Sequence, residues 1–266
     1  MRTLGLGHFT FLDLRPVELV RLARRTGYSF VGLRFNPFAP GQLHYCPQNA
    51  AEVRELRKSM EDEDISVYDI ETIVLDQTFD PDALQPVIDA AAAVGAERLN
   101  ICADDWDRAA LIDRFARLCE LAAASGLGVD IECMAWRGIN TPGKCVEVIK
   151  ASGARNAGFL VDALHLHRCG GTAAEVCAME PGMVVSAQLC DAPATHPTDV
   201  AGSIAEARGG RLIPGEGGLD LTGLLAALPD RTTVSVELPM ADDPRPPEVR
   251  AAAIFRATMS LLGNPQ

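Results

Sequence analysis

The sequence predicts an α/β protein that folds as a single (β/α)8 TIM barrel. Eight apolar, strand-like runs alternate with helix-like segments. The 266 residues match the length of such a barrel, and no linker, low-complexity stretch or composition break divides them. Six strand–helix units would suit an open doubly wound sheet. Eight units in a chain of this length, with no inserted domain, suit a closed barrel, which typically takes about 250 residues. Residues 1–266 are therefore read as one domain.

The first strand is the run 3–8, where Leu4 and Leu6 alternate with glycines. A helix follows over 16–26, with Val17, Val20, Leu22 and Ala23 apolar and Gly27 as its stop. Residues 30–35 read as the second strand, 36–47 as a Pro/Gly/Asn-rich loop, and about 48–63 as a charged helix. Strand 65–73 precedes helix 81–94, which Asp80 and Pro81 open as cap and first-turn residue. Strand 97–102 pairs in sequence with helix 107–124, strand 127–133 with helix 142–152, and strand 158–162 with helix 171–179. Strand 183–190 runs into a long loop before helix 219–228. Strand 232–238 and helix 246–262 complete the eighth unit.

Composition narrows the function. With 24 Lys+Arg against 36 Asp+Glu, the net charge of −12 argues against a surface built for nucleic-acid phosphates or anionic lipid. No apolar run of about 18 residues suggests a membrane span, and the start MRTLGLGHFTFLDLRP lacks a signal-peptide pattern. The eight cysteines form no C-x-x-C motif and several lie in apolar segments, as expected of reduced, buried thiols in a cytoplasmic protein. The expected partner is a small molecule, with neither nucleic acid nor membrane, and the expected assembly is a homodimer or homotetramer.

Catalytic groups of such barrels sit where strands end at the C-terminal face. His8, Arg34, Glu71 and Asn100 close the first four strands, with Asp69 two residues before Glu71. The last four strands end on Glu132, Asp162, Gln188 and Glu237, each one strand–helix unit after the previous one. Three carboxylates and an amide would then meet at one mouth, where the like charges repel. A divalent cation resolves that conflict. An all-oxygen ligand set, Glu132, Asp162, Gln188 and Glu237, favours Mn2+ or Mg2+ over Zn2+.

These residues resemble the xylose isomerase-like barrels, also described as sugar phosphate isomerases/epimerases. The resemblance spans essentially the whole chain. VDALHLHRCG, AQLCDAP, RGGRLIPGEGGLDL and VSVELP carry it most strongly, and VGLRF and DIECMAW also fit. It implies the same four metal ligands. Many members have His at the third ligand position. Gln188 stands there instead, as it does in hydroxypyruvate isomerase-like and 3-dehydroshikimate dehydratase-like members, which speaks against a ketose 3-epimerase. The resemblance also implies that His165 contacts the substrate and that Arg211, beside Arg208, clamps a substrate oxygen.

The chemistry implied is proton abstraction next to a carbonyl through a metal-stabilised enediolate, with Glu132 and Glu237 as base and acid and His165 as polariser or relay. The primary expectation is a metal-dependent isomerase or epimerase of a small hydroxy-carbonyl compound. The alternative is a dehydratase acting on a keto-polyol or a cyclic hydroxy-ketone such as 3-dehydroshikimate. Abasic-site endonucleases share this barrel, but they need a His-rich centre and a basic face, which five His and −12 do not supply. Arg34 is read either as a fork for a carboxylate or phosphate or as the ion-pair partner of Glu71. His8 and Trp136 are candidate pocket walls with equally good core roles, and Glu71 is a candidate substrate contact. The amides of PGEGG would hold an anion or form a turn that positions Arg211. His196 in the loop 191–212 is read as lid or as solvent loop.

Overall fold

The barrel closes because each strand pairs in parallel with the next in the chain and the eighth pairs with the first. A computed structural model describes residues 3–38 and 41–263. The strands are β1 (Leu4–Leu6), β2 (Phe30–Arg34), β3 (Ser66–Leu75), β4 (Arg98–Ala103), β5 (Gly128–Ile131), β6 (Ala157–Asp162), β7 (Val184–Leu189) and β8 (Thr233–Val236). Nearly every residue in them is buried, as expected of parallel strands covered on both faces.

The surrounding helices are α1 (Pro16–Thr26), α2 (Ala50–Glu63), α3 (Gln85–Ala93), α4 (Arg108–Ala124), α5 (Pro142–Ser152), α6 (Ala163–Arg168), α7 (Ala173–Cys177), α8 (Val200–Gly209), α9 (Leu221–Ala227) and α10 (Pro247–Leu261). Most begin on a local signal. Asn49, Asp107, Thr141, Asp162, Thr172, Asp199 and Asp220 each accept a first-turn amide. Gly27 ends α1 with φ +100°, a conformation that costs glycine little. The ring closes where α10 packs on α1, with Tyr28 donating to the Ala251 carbonyl and its ring edge-on to Phe255.

Four elements depart from the sequence expectation. β1 stops at Leu6, and His8 instead opens a 3-10 turn, His8–Phe11. The helix expected from residue 81 starts as a 3-10 turn, Asp82–Leu84, before α3. The helix of the sixth unit is split: α6 follows β6 without a loop, the chain breaks at Gly170 with φ +73°, and α7 begins on Thr172. The segment 191–212, expected as loop, contains α8. That helix carries Gly202 within it and buries only Ala207 fully, so it has no apolar stripe to betray it. Arg168 grips Glu206 with two donors, which ties α8 to α6. His196 lies exposed in the run before α8.

None of the eight cysteines forms a disulfide. No described helix is long and apolar enough to cross a membrane. Inside the barrel, below the mouth, lies a polar layer. Asn100 donates to Asp69 Oδ2 (2.6 Å), and Asp130 accepts from Arg98 and from Ser186 Oγ (2.8 Å). Gly32 is required beside it, because a Cβ there would collide with Asp69 Oδ1.

Candidate active site

The site is built on the ends of β5 to β8. Glu132 directly follows β5, where its amide is held by the Ile101 carbonyl (2.9 Å). Asp162 is both the last residue of β6 and the cap of α6, and its Oδ1 accepts the His165 amide (2.8 Å). This double role turns His165 back over the mouth one helical turn later. Gln188 lies beside Asp162 in register, and Glu237 follows β8, held by the Leu189 carbonyl (3.2 Å). All five side chains are buried.

Donor atoms of Glu132, Asp162 and His165 lie within 4.8 Å of one another. Gln188 Nε2 approaches Glu237 Oε1 at 3.4 Å. The guanidinium of Arg211 lies among the acids. Its Nη1 donates to Asp162 Oδ2 (2.6 Å) and to the Glu237 carbonyl (3.1 Å), and Nη2 pairs with Glu237 Oε2 (3.0 Å). Nη2 is also 3.5 Å from His165 Nε2. Arg211 therefore acts here as counter-charge to the cluster, and it also lines the cavity that Glu132 and Glu237 border.

Burial and crowding set the proton affinities. Burial, with Asp162 and Glu237 close by, pushes the Glu132 carboxyl well above the usual range. Burial raises Glu237 to about 8; Arg211 opposes this and the Glu71 carboxyl reinforces it. Asp162 is also buried, yet Arg211 and His165 outweigh that and hold it low, so it stays ionised. Burial lowers His165 and keeps it neutral, with Nδ1 buried and unpartnered. Two carboxylates, a neutral imidazole with an orphan nitrogen, and a further carboxylate–amide pair alongside fit a divalent cation. The sequence argument placed only oxygens in this set. The His165 imidazole joins the candidate donors because α6 starts directly after Asp162, where the sequence suggests no helix.

Phe9, Arg34, Phe38, Glu132, Met134, Trp136, His165, Arg208, Arg211 and Glu237 are among the residues around a narrow cavity of about 30 Å³. Trp136 stands edge-on to His165 at 5.2 Å. Phe38 is flanked by the guanidiniums of Arg137 and Arg208 at 5.3 and 5.2 Å. Nothing in the local sequence around Phe9, Phe38 or Met134 marks them as cavity walls.

His8 and Glu71, two further expected contacts, are engaged by the protein itself. His8 has both ring nitrogens engaged: Nδ1 accepts the Arg34 amide (3.0 Å) and Nε2 faces the Leu14 carbonyl (2.8 Å). Burial lowers its pKa to about 4, and its ring stacks on Tyr45. It joins β1 to β2 and has no nitrogen left for a substrate. Glu71 accepts the Phe9 amide (3.0 Å) and stands 3.9 Å from Arg34 Nη2. The glycine-rich turn is already filled: Asp191 accepts the amides of Ala192, Gly215, Gly217 and Leu219. Its carboxylate is the anion that those amides hold, and the turn leads directly from Arg211.

Residues 20–258 match the family described as xylose isomerase-like TIM barrel. A 130-residue stretch, 48% of the chain, is 31% identical to the 3-dehydroshikimate dehydratase of Pseudomonas aeruginosa and covers 20% of that protein's length. Two solved structures share the fold. One is the IOLI protein with a binding zinc atom (TM-score 0.82, 17% identity, 98% of each chain). The other is a xylose isomerase-like TIM barrel/4-hydroxyphenylpyruvate dioxygenase fusion protein (TM-score 0.81, 18% identity), where all of this chain covers 45% of that one. The closed eight-strand barrel and the extent of the match agree: this chain belongs to the xylose isomerase-like TIM barrel family.

Proposed function

We propose that the protein is a divalent-metal-dependent isomerase or epimerase that moves a proton next to the carbonyl of a small hydroxy-carbonyl compound. One observation carries this reading: Glu132 and Glu237, two buried carboxyls with raised proton affinity, face one cavity together with a neutral His165. When bound, a divalent ion would polarise the carbonyl and offset the negative charge that develops after proton loss. Glu132 takes the proton, since burial and its anionic neighbours raise its basicity. Glu237 returns a proton from its own side of the cavity. His165, kept neutral by burial, can offer a ring nitrogen to the ion, and the Trp136 ring fixes its orientation. Asp162, held ionised, serves as a ligand and not as a base. Glu132, Asp162 and His165 would hold the ion, with Gln188 and Glu237 able to complete its shell. Oxygen donors outnumber the single imidazole, so Mn2+ or Mg2+ ranks ahead of Zn2+.

The 31% match to a 3-dehydroshikimate dehydratase favours a second reading, loss of water from a hydroxy-ketone after the same proton abstraction. Incubating the metal-loaded protein in D2O with keto-sugars, keto-inositols, hydroxypyruvate and 3-dehydroshikimate tests both. A product of unchanged composition that carries solvent deuterium supports the isomerase. A product lighter by one water supports the dehydratase. Turnover unaffected by chelation refutes both.

A further inference from the structure

Arg34 at the cavity is only loosely paired. Arg34 ends β2 with its side chain 2% exposed, and its Nε is buried without a hydrogen-bond partner. Its ion pair with Glu71 Oε2 is loose at 3.9 Å, too long for a hydrogen bond to that oxygen. The ring of Phe9 covers one face of the guanidinium at 4.7 Å, so the usable donors lie in the plane of the fork. A buried guanidinium left in this state is costly unless an anion completes it. It borders the same cavity as Glu132, His165 and Glu237.

We infer that Arg34 is the specificity-determining residue of this site and that it receives a carboxylate, so the substrate is a small hydroxy-carbonyl acid and not a neutral sugar. The inference rests on the proposed reading of this cavity as the catalytic site. A carboxylate matches the planar fork with two parallel hydrogen bonds, whereas a phosphate dianion calls for more donors than one fork supplies. Glu71 steadies the fork from the next strand but is too distant to neutralise it fully.

Calorimetric titration of the Mn2+-loaded 266-residue protein tests this. Hydroxypyruvate and 3-dehydroshikimate are the carboxylate probes, dihydroxyacetone and D-fructose the neutral ones, and dihydroxyacetone phosphate the phosphate probe. The acids are expected to bind roughly 10- to 100-fold tighter than the neutral compounds. Arg34→Gln removes that preference and leaves neutral binding unchanged. Arg34→Lys, which keeps the charge without the fork, retains part of it and serves if the Gln variant does not fold. No preference in the parent protein, including no binding of either acid, overturns the inference. So does a preference that survives both substitutions, or one led by the phosphate compound. Glu132→Gln separates this from the reaction itself: full turnover in that variant defeats the proposed chemistry, while an intact Arg34-dependent preference leaves the inference standing.

Discussion

Two polar layers share the inside of this barrel, and the same strands build both. β3 contributes Asp69 below and Glu71 above, β5 Asp130 followed by Glu132, β7 Ser186 and Gln188, and β8 Ser235 followed by Glu237. The two-residue period of a strand puts each pair on the same inner face. In the lower layer each acid has its own partners: Asp130 pairs with Arg98 and accepts from Ser186, and Asp69 accepts from Asn100. In the upper layer Glu132, Asp162 and Glu237 share one guanidinium, Arg211. A buried charge with its own partners is part of the scaffold. Buried charges gathered at a cavity with too little counter-charge are set up to receive a cation and to move protons.

The sharpest way to break this contrast is at the top. Glu132→Gln or Glu237→Gln is expected to lower turnover by about 10³-fold or more, with an unchanged circular dichroism spectrum. Normal rates in both variants would remove the functional meaning of the upper layer. Arg98→Leu is the matching change below. It strands Asp130 as a buried, uncompensated anion and should cost about 3 kcal/mol in urea unfolding. The folded fraction should keep its turnover and its stabilisation by added Mn2+.

A titration gives a finer contrast. Burial raises Asp69 to about 7, against an ordinary value of 3.8. The native state therefore keeps this proton to higher pH than the unfolded chain, and unfolding releases it between about pH 4 and 7. Its contribution to stability is full at the acid end of that window and is lost as pH rises to 7. Asp69→Asn should flatten this part of the stability–pH curve and raise the melting temperature at pH 8. An unchanged slope would show that Asp69 is not the titrating group. The smallest effect is expected outside both layers: His196→Ala, in the exposed run before α8, should shift stability by less than about 0.5 kcal/mol and leave turnover unchanged.

Much of this molecule was legible before folding. Strand–helix alternation is local, and the polar residue that ends each apolar run is visible in the chain, so the barrel and the acids at the ends of β5, β6 and β8 could be read directly. The stop of α1 at Gly27 was legible for the same reason, whereas Asp80 precedes a 3-10 turn and does not cap α3. α6 and α8 were not. α6 has six residues and depends on Asp162 acting as strand end and cap together. α8 contains Gly202 and is held by an ion pair to α6 and not by an apolar face. With α6 missed, His165 could not be recognised as sharing a donor cluster with Glu132. Apart from the adjacent Ala192 amide, the hydrogen-bond partners of His8 and Asp191 lie 6 to 28 residues away along the chain, beyond any local pattern.

The sequence by itself determined one barrel with three acids and an amide at consecutive strand ends, because side-chain alternation and strand order are properties of neighbouring residues. Only the tertiary structure decided which charges are matched. Arg98 was brought to Asp130 and Arg211 to Asp162, while Arg34 was left at 3.9 Å from Glu71. Pairing in a low-dielectric interior depends on ångström distances between residues far apart in the chain, and those distances exist only once the barrel has closed.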